Sequence, residues 1–325
     1  MESEASRSAP PPVRPLPTAA RPRATKRLKR WLRYHLVRAT LAGLSLLPLG
    51  AAQRLGEALG TLGFHLARGE RRKALEGLSR AFPERTAAER EALARDCFRH
   101  LGRMALELAV IDRRSDRLEG LVAWSGENRA RFAAASARGR GVIFVTGHLG
   151  SWELLARRIM AAGFPGATIA REASDARMTA LLQDFRARGG LETIWRGDPG
   201  AARAMLRTLR SGHALGLLID QDTRVQSVFV PFFGHLAATP RAAADLALRT
   251  GAALLVGSCL RQADGTYLLE VEEVPLPSPG REAREEAVLE VTATLTAALE
   301  REIRRAPAQW VWMHPRWKTR PPTGT

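Results

Sequence analysis

The sequence predicts an α/β fold: a mostly parallel central sheet flanked by helices, with an N-terminal membrane-associating helical segment. Three observations carry this. Between residues 141 and 273, short apolar runs alternate with segments of helical periodicity, the pattern of strands whose faces are covered by helices. A long amphipathic stretch, 282–305, closes the pattern. The composition, 45% hydrophobic and 26% charged residues, allows a sizeable core.

The elements follow in order. Residues 71–109 read as helix, with a start at Thr86 and Glu89 three positions on as its capping-box partner. Leu93, Cys97, Leu101 and Met104 continue at helical spacing. A buried strand is expected over 141–146, then a helix over 151–160. Strands at 167–170 and 192–195 flank a helix at 176–188, and a helix at 201–211 precedes a strand at 214–219 that ends in Asp220. A helix over 241–250 leads to a strand at 253–261 and its hairpin partner at 267–273. No internal repeat and no break after residue 70 appear, which gives three regions: a disordered basic, Pro-rich tail (1–30), membrane-associating helices (31–68) and an α/β domain (69–325).

The net charge is +17, and residues 1–38 hold ten Lys/Arg against two Glu. The partner this implies is anionic, and composition alone does not choose among nucleic acid, membrane, acidic protein and phosphorylated substrate. Residues 39–53 are uncharged over 15 positions and interrupted by Pro48, whereas a bilayer span needs about 20 apolar residues. An interfacial or shallowly inserted helix pair is the preferred reading, and a buried core helix is the alternative. Cys97 and Cys259 make no metal-ligand spacing and read as buried reduced thiols. No cofactor, no metal and no nucleic-acid partner are expected.

Chemistry concentrates at the strand–helix junction Thr146-Gly147-His148-Leu149-Gly150-Ser151-Trp152-Glu153, because reactive groups in such sheets sit where strands end. The two glycines permit a sharp turn. Ser151 reads as the N-cap, placing Glu153 in the first helical turn, where the helix dipole favours a carboxylate. Folded back, the loop would let Glu153 orient the His148 ring as a general base. A capping histidine beside an exposed glutamate is the bland alternative. The G-x-S-x-G signature of a serine nucleophile is absent, so a substrate hydroxyl would be the nucleophile.

This junction resembles the His-four residues-Asp/Glu motif of the glycerolipid acyltransferase superfamily. Four more segments resemble its lipid A biosynthesis (lauroyl/myristoyl) branch: R-R-K-A-L-E-G-L-S-R-A-F-P-E (71–84), I-D-Q-D (219–222), S-V-F-V-P-F-F-G-H-L-A-A-T-P (227–240) with L-A-L-R-T-G-A (246–252), and Q-W-V-W-M-H-P-R-W-K-T-R-P (309–321). Order and spacing match over roughly residues 40–321. The resemblance implies a glycerolipid acyltransferase-like fold at the cytoplasmic face of the inner membrane. It implies acyl transfer from acyl carrier protein, or from acyl-CoA as co-substrate, to a hydroxyl of a phosphorylated glycolipid, a lipid A precursor, beside anionic membrane lipid. It makes His148 and Glu153 catalytic, and Arg171, Arg186, Asp220 and Asp222 substrate-binding. Guanidinium groups suit phosphate, and Asp220 would hold such an arginine in place.

Some readings stay open. The 228–234 run (V-F-V-P-F-F-G) suits either core or an acyl tunnel. The alternating Trp and basic residues of 310–321 suit an interfacial surface, with packing as the alternative. His314 reads as structural. The branch pattern is broken at Gly77-Leu78, at Asp175 and at Pro240-Arg241-Ala242-Ala243, and the last two put the acceptor in doubt more than the catalysis. Another glycolipid or phospholipid acceptor, or a His/Glu-dependent thioesterase, are the alternatives.

Overall fold

The computed structural model describes residues 24–277 and 283–321. Most of the expected 1–30 tail therefore lies outside the described residues. Four helices open the chain: α1 (Ala24–Leu44), α2 (Leu49–Leu66), α3 (Arg68–Ala81) and α4 (Ala87–Ile111). Pro48 lacks the N–H a continuing helix would donate, and it caps α2 after the break at Ser45–Leu47. No described helix is long and apolar enough to cross a membrane. The capping box at Thr86 and Glu89 forms as the sequence predicts, with each partner accepting from the other's backbone N–H.

Helix α2 buries its small residues rather than its leucines. Ala52, Gly56, Gly60 and Phe64 face α4, and Leu55, Leu59, Leu62 and Leu66 face outward. A Cβ at Gly56 or Gly60 would come within 3.0 Å of backbone atoms of Gly102 or Phe98, so the two helices cross at backbone contact.

The α/β domain continues with α5 (Leu118–Leu121), β1 (Val122–Trp124), α6 (Gly126–Ala137), β2 (Val142–Thr146), α7 (Trp152–Ala161), β3 (Gly166–Ala170), α8 (Ala176–Arg188), β4 (Leu191–Trp195), α9 (Ala201–Arg210) and β5 (Ala214–Leu218). A hairpin of β6 (Ser227–Phe232) and β7 (His235–Pro240) follows, then α10 (Ala242–Thr250), β8 (Ala253–Arg261), β9 (Tyr267–Glu273) and α11 (Arg284–Arg305). The sheet order is β1-β9-β8-β2-β5-β3-β4. Every pairing is parallel except β8 with β9, so the expected hairpin there is observed.

Strand β2 sits at the centre with all five residues buried, and its alternate side chains feed two cores. Ile143 and Val145 pack with α10 and α11, and with Leu209 of α9. Val142 and Phe144 pack with Phe132 of α6 and with Leu154, Leu155 and Ile159 of α7. A third core gathers α3, α4, Phe232, Phe233, Trp310 and Trp312. The apolar hairpin residues Phe232 and Phe233 are therefore core. Trp310 and Trp312 are 1% and 0% exposed, which corrects the interfacial reading of the C-terminal segment in favour of packing.

Candidate active site

The candidate site follows from register. Strands β2 and β5 are parallel neighbours with Thr146 opposite Leu218, and each runs two residues further to a polar side chain: His148 after one, Asp220 after the other. Matched overhangs on adjacent parallel strands bring their side chains together. The ring Nδ1 of His148 lies 2.9 Å from Asp220 Oδ1, and the His148 backbone N–H donates to Oδ2 at 2.7 Å. Trp310 completes the set, its indole N–H donating to Oδ2 at 2.8 Å. Gly147 is small because the carboxylate occupies that space: a Cβ there would lie 3.1 Å from Asp220 Cγ.

Electrostatics favour a charged carboxylate. Burial pushes the Asp220 carboxyl up, but the His148 charge, the two His148 N–H groups and the Trp310 indole outweigh it and hold it at about 2. With Asp220 charged at neutral pH, His148 donates its Nδ1–H to it, and the lone pair then belongs to Nε2. The His148 side chain keeps 27% of its exposure, and Trp152 packs edge-on at 5.1 Å.

The His148 loop is braced from two sides. The C-terminal segment pairs with it antiparallel, Gly150 N–H to Gln309 O at 3.0 Å and Val311 N–H to His148 O at 3.1 Å. From α4, His100 Nε2 bonds the Gly150 carbonyl at 3.0 Å and the Cys97 thiol donates to Trp310 O. Gly150 has φ +59°, and a Cβ there would overlap the Cys259 carbonyl, so only glycine fits.

Two assignments made from sequence exchange partners. Glu153 does not reach the His148 ring: it is buried in the first turn of α7 and pairs with Arg186 of α8, which donates from Nη2 at 2.5 Å and from Nε at 3.2 Å. Asp220, expected to hold an arginine, orients the histidine instead. The reason is directional: α7 carries Glu153 beneath its own axis towards α8, while the sheet register carries Asp220 to His148. Asp222 is buried, and Thr319 N–H and Oγ bond its two oxygens and tie down the C-terminal segment. Arg171 follows β3 at the same edge, exposed and without an ion pair among the described residues. Ser151 is the N-cap residue by position, but its buried hydroxyl makes no capping bond. Among the described residues, no cluster of three metal-ligating side chains occurs.

An apolar slot runs between α7 and the sheet. Phe144, Leu155, Ile159, Met160, Leu191 and Leu218 line it, and Thr146, Trp152, Glu153 and Arg186 also lie on its wall. Thr146 Oγ1 and Arg186 Nη1 are buried without hydrogen-bond partners.

Residues 20–319 match the bacterial lipid A biosynthesis acyltransferase family. The chain belongs to that family. This acyltransferase is 30% identical over 285 residues to the lipid A biosynthesis palmitoleoyltransferase of Escherichia coli (strain K12), covering 85% of this chain and 87% of the relative. It is 28% identical to that organism's lipid A biosynthesis lauroyltransferase, with 85% and 88% coverage. A phosphatidylinositol mannoside acyltransferase of Mycolicibacterium smegmatis is 26% identical over 70% of the acyltransferase and 68% of the relative. Sequence reasoning missed the acyltransferase's Trp310 and His100. The one available signal for Trp310 was its place in a Trp-rich segment, which is equally a packing signal.

Proposed function

We propose that this acyltransferase moves a fatty acyl chain from an acyl carrier protein, or from acyl-CoA, to a hydroxyl of a phosphorylated lipid A precursor at the cytoplasmic face of the inner membrane. The observation that carries the reading is the His148–Asp220 pair, formed two residues beyond the paired ends of β2 and β5. His148 Nε2 takes the proton of the acceptor hydroxyl, and the oxygen attacks the thioester carbonyl carbon. The carbon–sulfur bond breaks, an ester forms, and the thiolate recovers the proton from the imidazolium. Asp220 fixes the tautomer and balances the imidazolium charge, the part a triad carboxylate plays. Arg186, held by Glu153, directs Nη1 at the slot, where a carbonyl or phosphate oxygen would satisfy it. Arg171 is an exposed cation at the same edge for a phosphate of the acceptor.

Support for membrane association is the outward apolar surface of α1 and α2. Leu28, Trp31, Leu32 and Leu36 on α1, and Leu55, Leu59, Leu62 and Leu66 on α2, are all exposed. Tyr34 of α1 stacks with Arg177 at the start of α8, which ties that surface to the catalytic edge. The likeness to a phosphatidylinositol mannoside acyltransferase favours a second acceptor class, a phosphoinositide glycolipid. Purified protein incubated with an acyl carrier thioester and each acceptor in turn, followed by mass spectrometry, tests the reading. One added acyl group on the phosphorylated disaccharide lipid is expected. Free fatty acid with no acylated lipid would make the protein a thioesterase instead.

A further inference from the structure

Outside α1, whose sequence carries no acid, many helical cations of this chain are matched by acids. Lys73 pairs with Glu70 on α3, Arg99 with Asp96 on α4, and Arg131 with Glu127 on α6. Arg157 and Arg158 of α7 pair with Asp112 and Glu119, and all three arginines of α8 are paired. Arg301, Arg304 and Arg305 of α11 pair likewise. Helix α9 differs. Its sequence, AARAMLRTLR, contains no acid, and Arg203, Arg207 and Arg210 are exposed and form no ion pair among the described residues. Spaced four and three apart, they share one helical face about 10 Å long. The opposite face is anchored, with Leu209 buried and Ala201, Ala204, Met205 and Leu206 packed against the core.

This face begins at the catalytic edge. The chain leaves the C-terminal end of β4, passes Arg196 and enters α9, so Arg203 lies in the turn nearest that edge. The Arg196 N–H donates to Ala170 O at 2.7 Å, which joins Arg171 and Arg196 at neighbouring strand ends; neither forms an ion pair among the described residues, and one acid, Asp198, lies between Arg196 and α9. In the sheet order β2-β5-β3-β4, this point lies two to three strand spacings from β2, roughly 10–15 Å from the strand that ends at His148.

We propose that the basic face of α9, continued by Arg196, is the docking surface for the acidic carrier protein that delivers the acyl thioester; this rests on the donor reading above. Three cations in helical register complement an acidic helix. A partner seated there can feed an arm over the ends of β4, β3 and β5 to His148. An anionic bilayer is the less suitable occupant, because membrane-seating faces combine basic with large apolar side chains. Among the described residues, the exposed large apolar side chains lie on α1, α2 and the intervening turn, and at Val225, Leu236 and Leu289, with none on α9.

The test compares two donors of the same acyl group, one on a carrier protein and one on pantetheine, which has neither the protein nor a phosphate. The variant is Arg203→Glu with Arg207→Glu and Arg210→Glu. Its KM for the carrier thioester should rise about tenfold or more and lose most of its salt dependence, with pantetheine kinetics unchanged. Unchanged carrier kinetics would overturn the proposal, and so would an equal loss with both donors. Loss of binding to anionic phospholipid vesicles without a change in carrier kinetics would assign the face to the membrane and equally overturn it. A wild-type enzyme that uses the pantetheine thioester as well as the carrier thioester would instead remove the donor reading on which the proposal rests.

Discussion

Replacing Asp220 by Asn tests the proposal that Asp220 makes His148 a base. The carboxylate accepts from the His148 backbone N–H, from Nδ1 and from the Trp310 indole. An amide oxygen can keep the backbone and indole bonds, and it then turns its NH2 towards Nδ1. That nitrogen must become the acceptor, so the ring proton moves to Nε2 and the lone pair needed for proton removal is lost. Charge adds to the effect. The distance of the Asp220 carboxyl from its ordinary 3.8 to about 2 corresponds to about 2.5 kcal/mol of stabilisation of the charged pair. Tautomer inversion together with this loss should lower kcat for acyl transfer by about 10² to 10⁴. The assay is steady-state transfer measured by mass spectrometry across pH, with donor KM held within about threefold. Glu153→Gln, which leaves the His148–Asp220 pair intact, should leave the acid limb of the profile in place. An Asp220→Asn enzyme within a few fold of wild type would refute the reasoning.

Trp310→Phe keeps the ring but removes one of the donors to Asp220. The carboxylate becomes more basic, so the acid limb of the pH–rate profile should move up and kcat should fall about tenfold; a lower rate with an unmoved limb would make Trp310 merely structural. Burial pulls the His100 imidazole down to about 4 against its bond to Gly150, while an unfolded histidine titrates near 6.5. The unfolded chain therefore takes the proton first. Stability is full above pH 6.5 and falls by about 3 kcal/mol as the pH drops to 4, a slope in urea midpoints that His100→Gln should flatten. Gly60→Val drives a side chain into the Phe98 backbone and should destabilise the α2–α4 crossing by about 1–3 kcal/mol, read by denaturant unfolding.

The sheet was legible in the sequence wherever a strand forms an apolar or alternating run of four or more residues between turns. Residues 176–188, 253–261 and 267–273 match α8, β8 and β9 to the residue, and the other expected strands differ by a residue at an end. Strand β1 has only three residues and β6–β7 a mixed apolar run, so neither gave a periodicity to count. The pairing of His148 was misjudged for a physical reason. Reading along the chain offers Glu153, five residues away, while the true neighbour lies 72 residues away and is reached through the β2–β5 register. Strand order is not written in local pattern. Once it is known, two equal overhangs of two residues predict the contact. The α2–α4 crossing was not legible either, because glycine and alanine, not leucine, mark the face where two helices approach to backbone contact.

The central claim is that His148, oriented by Asp220, removes the proton from an acceptor hydroxyl. The most direct measurement is the transfer rate of His148→Ala with a defined thioester and a phosphorylated disaccharide lipid under saturating donor. The account predicts a loss of about 10²-fold or more with donor affinity retained. A rate equal to wild type would contradict it.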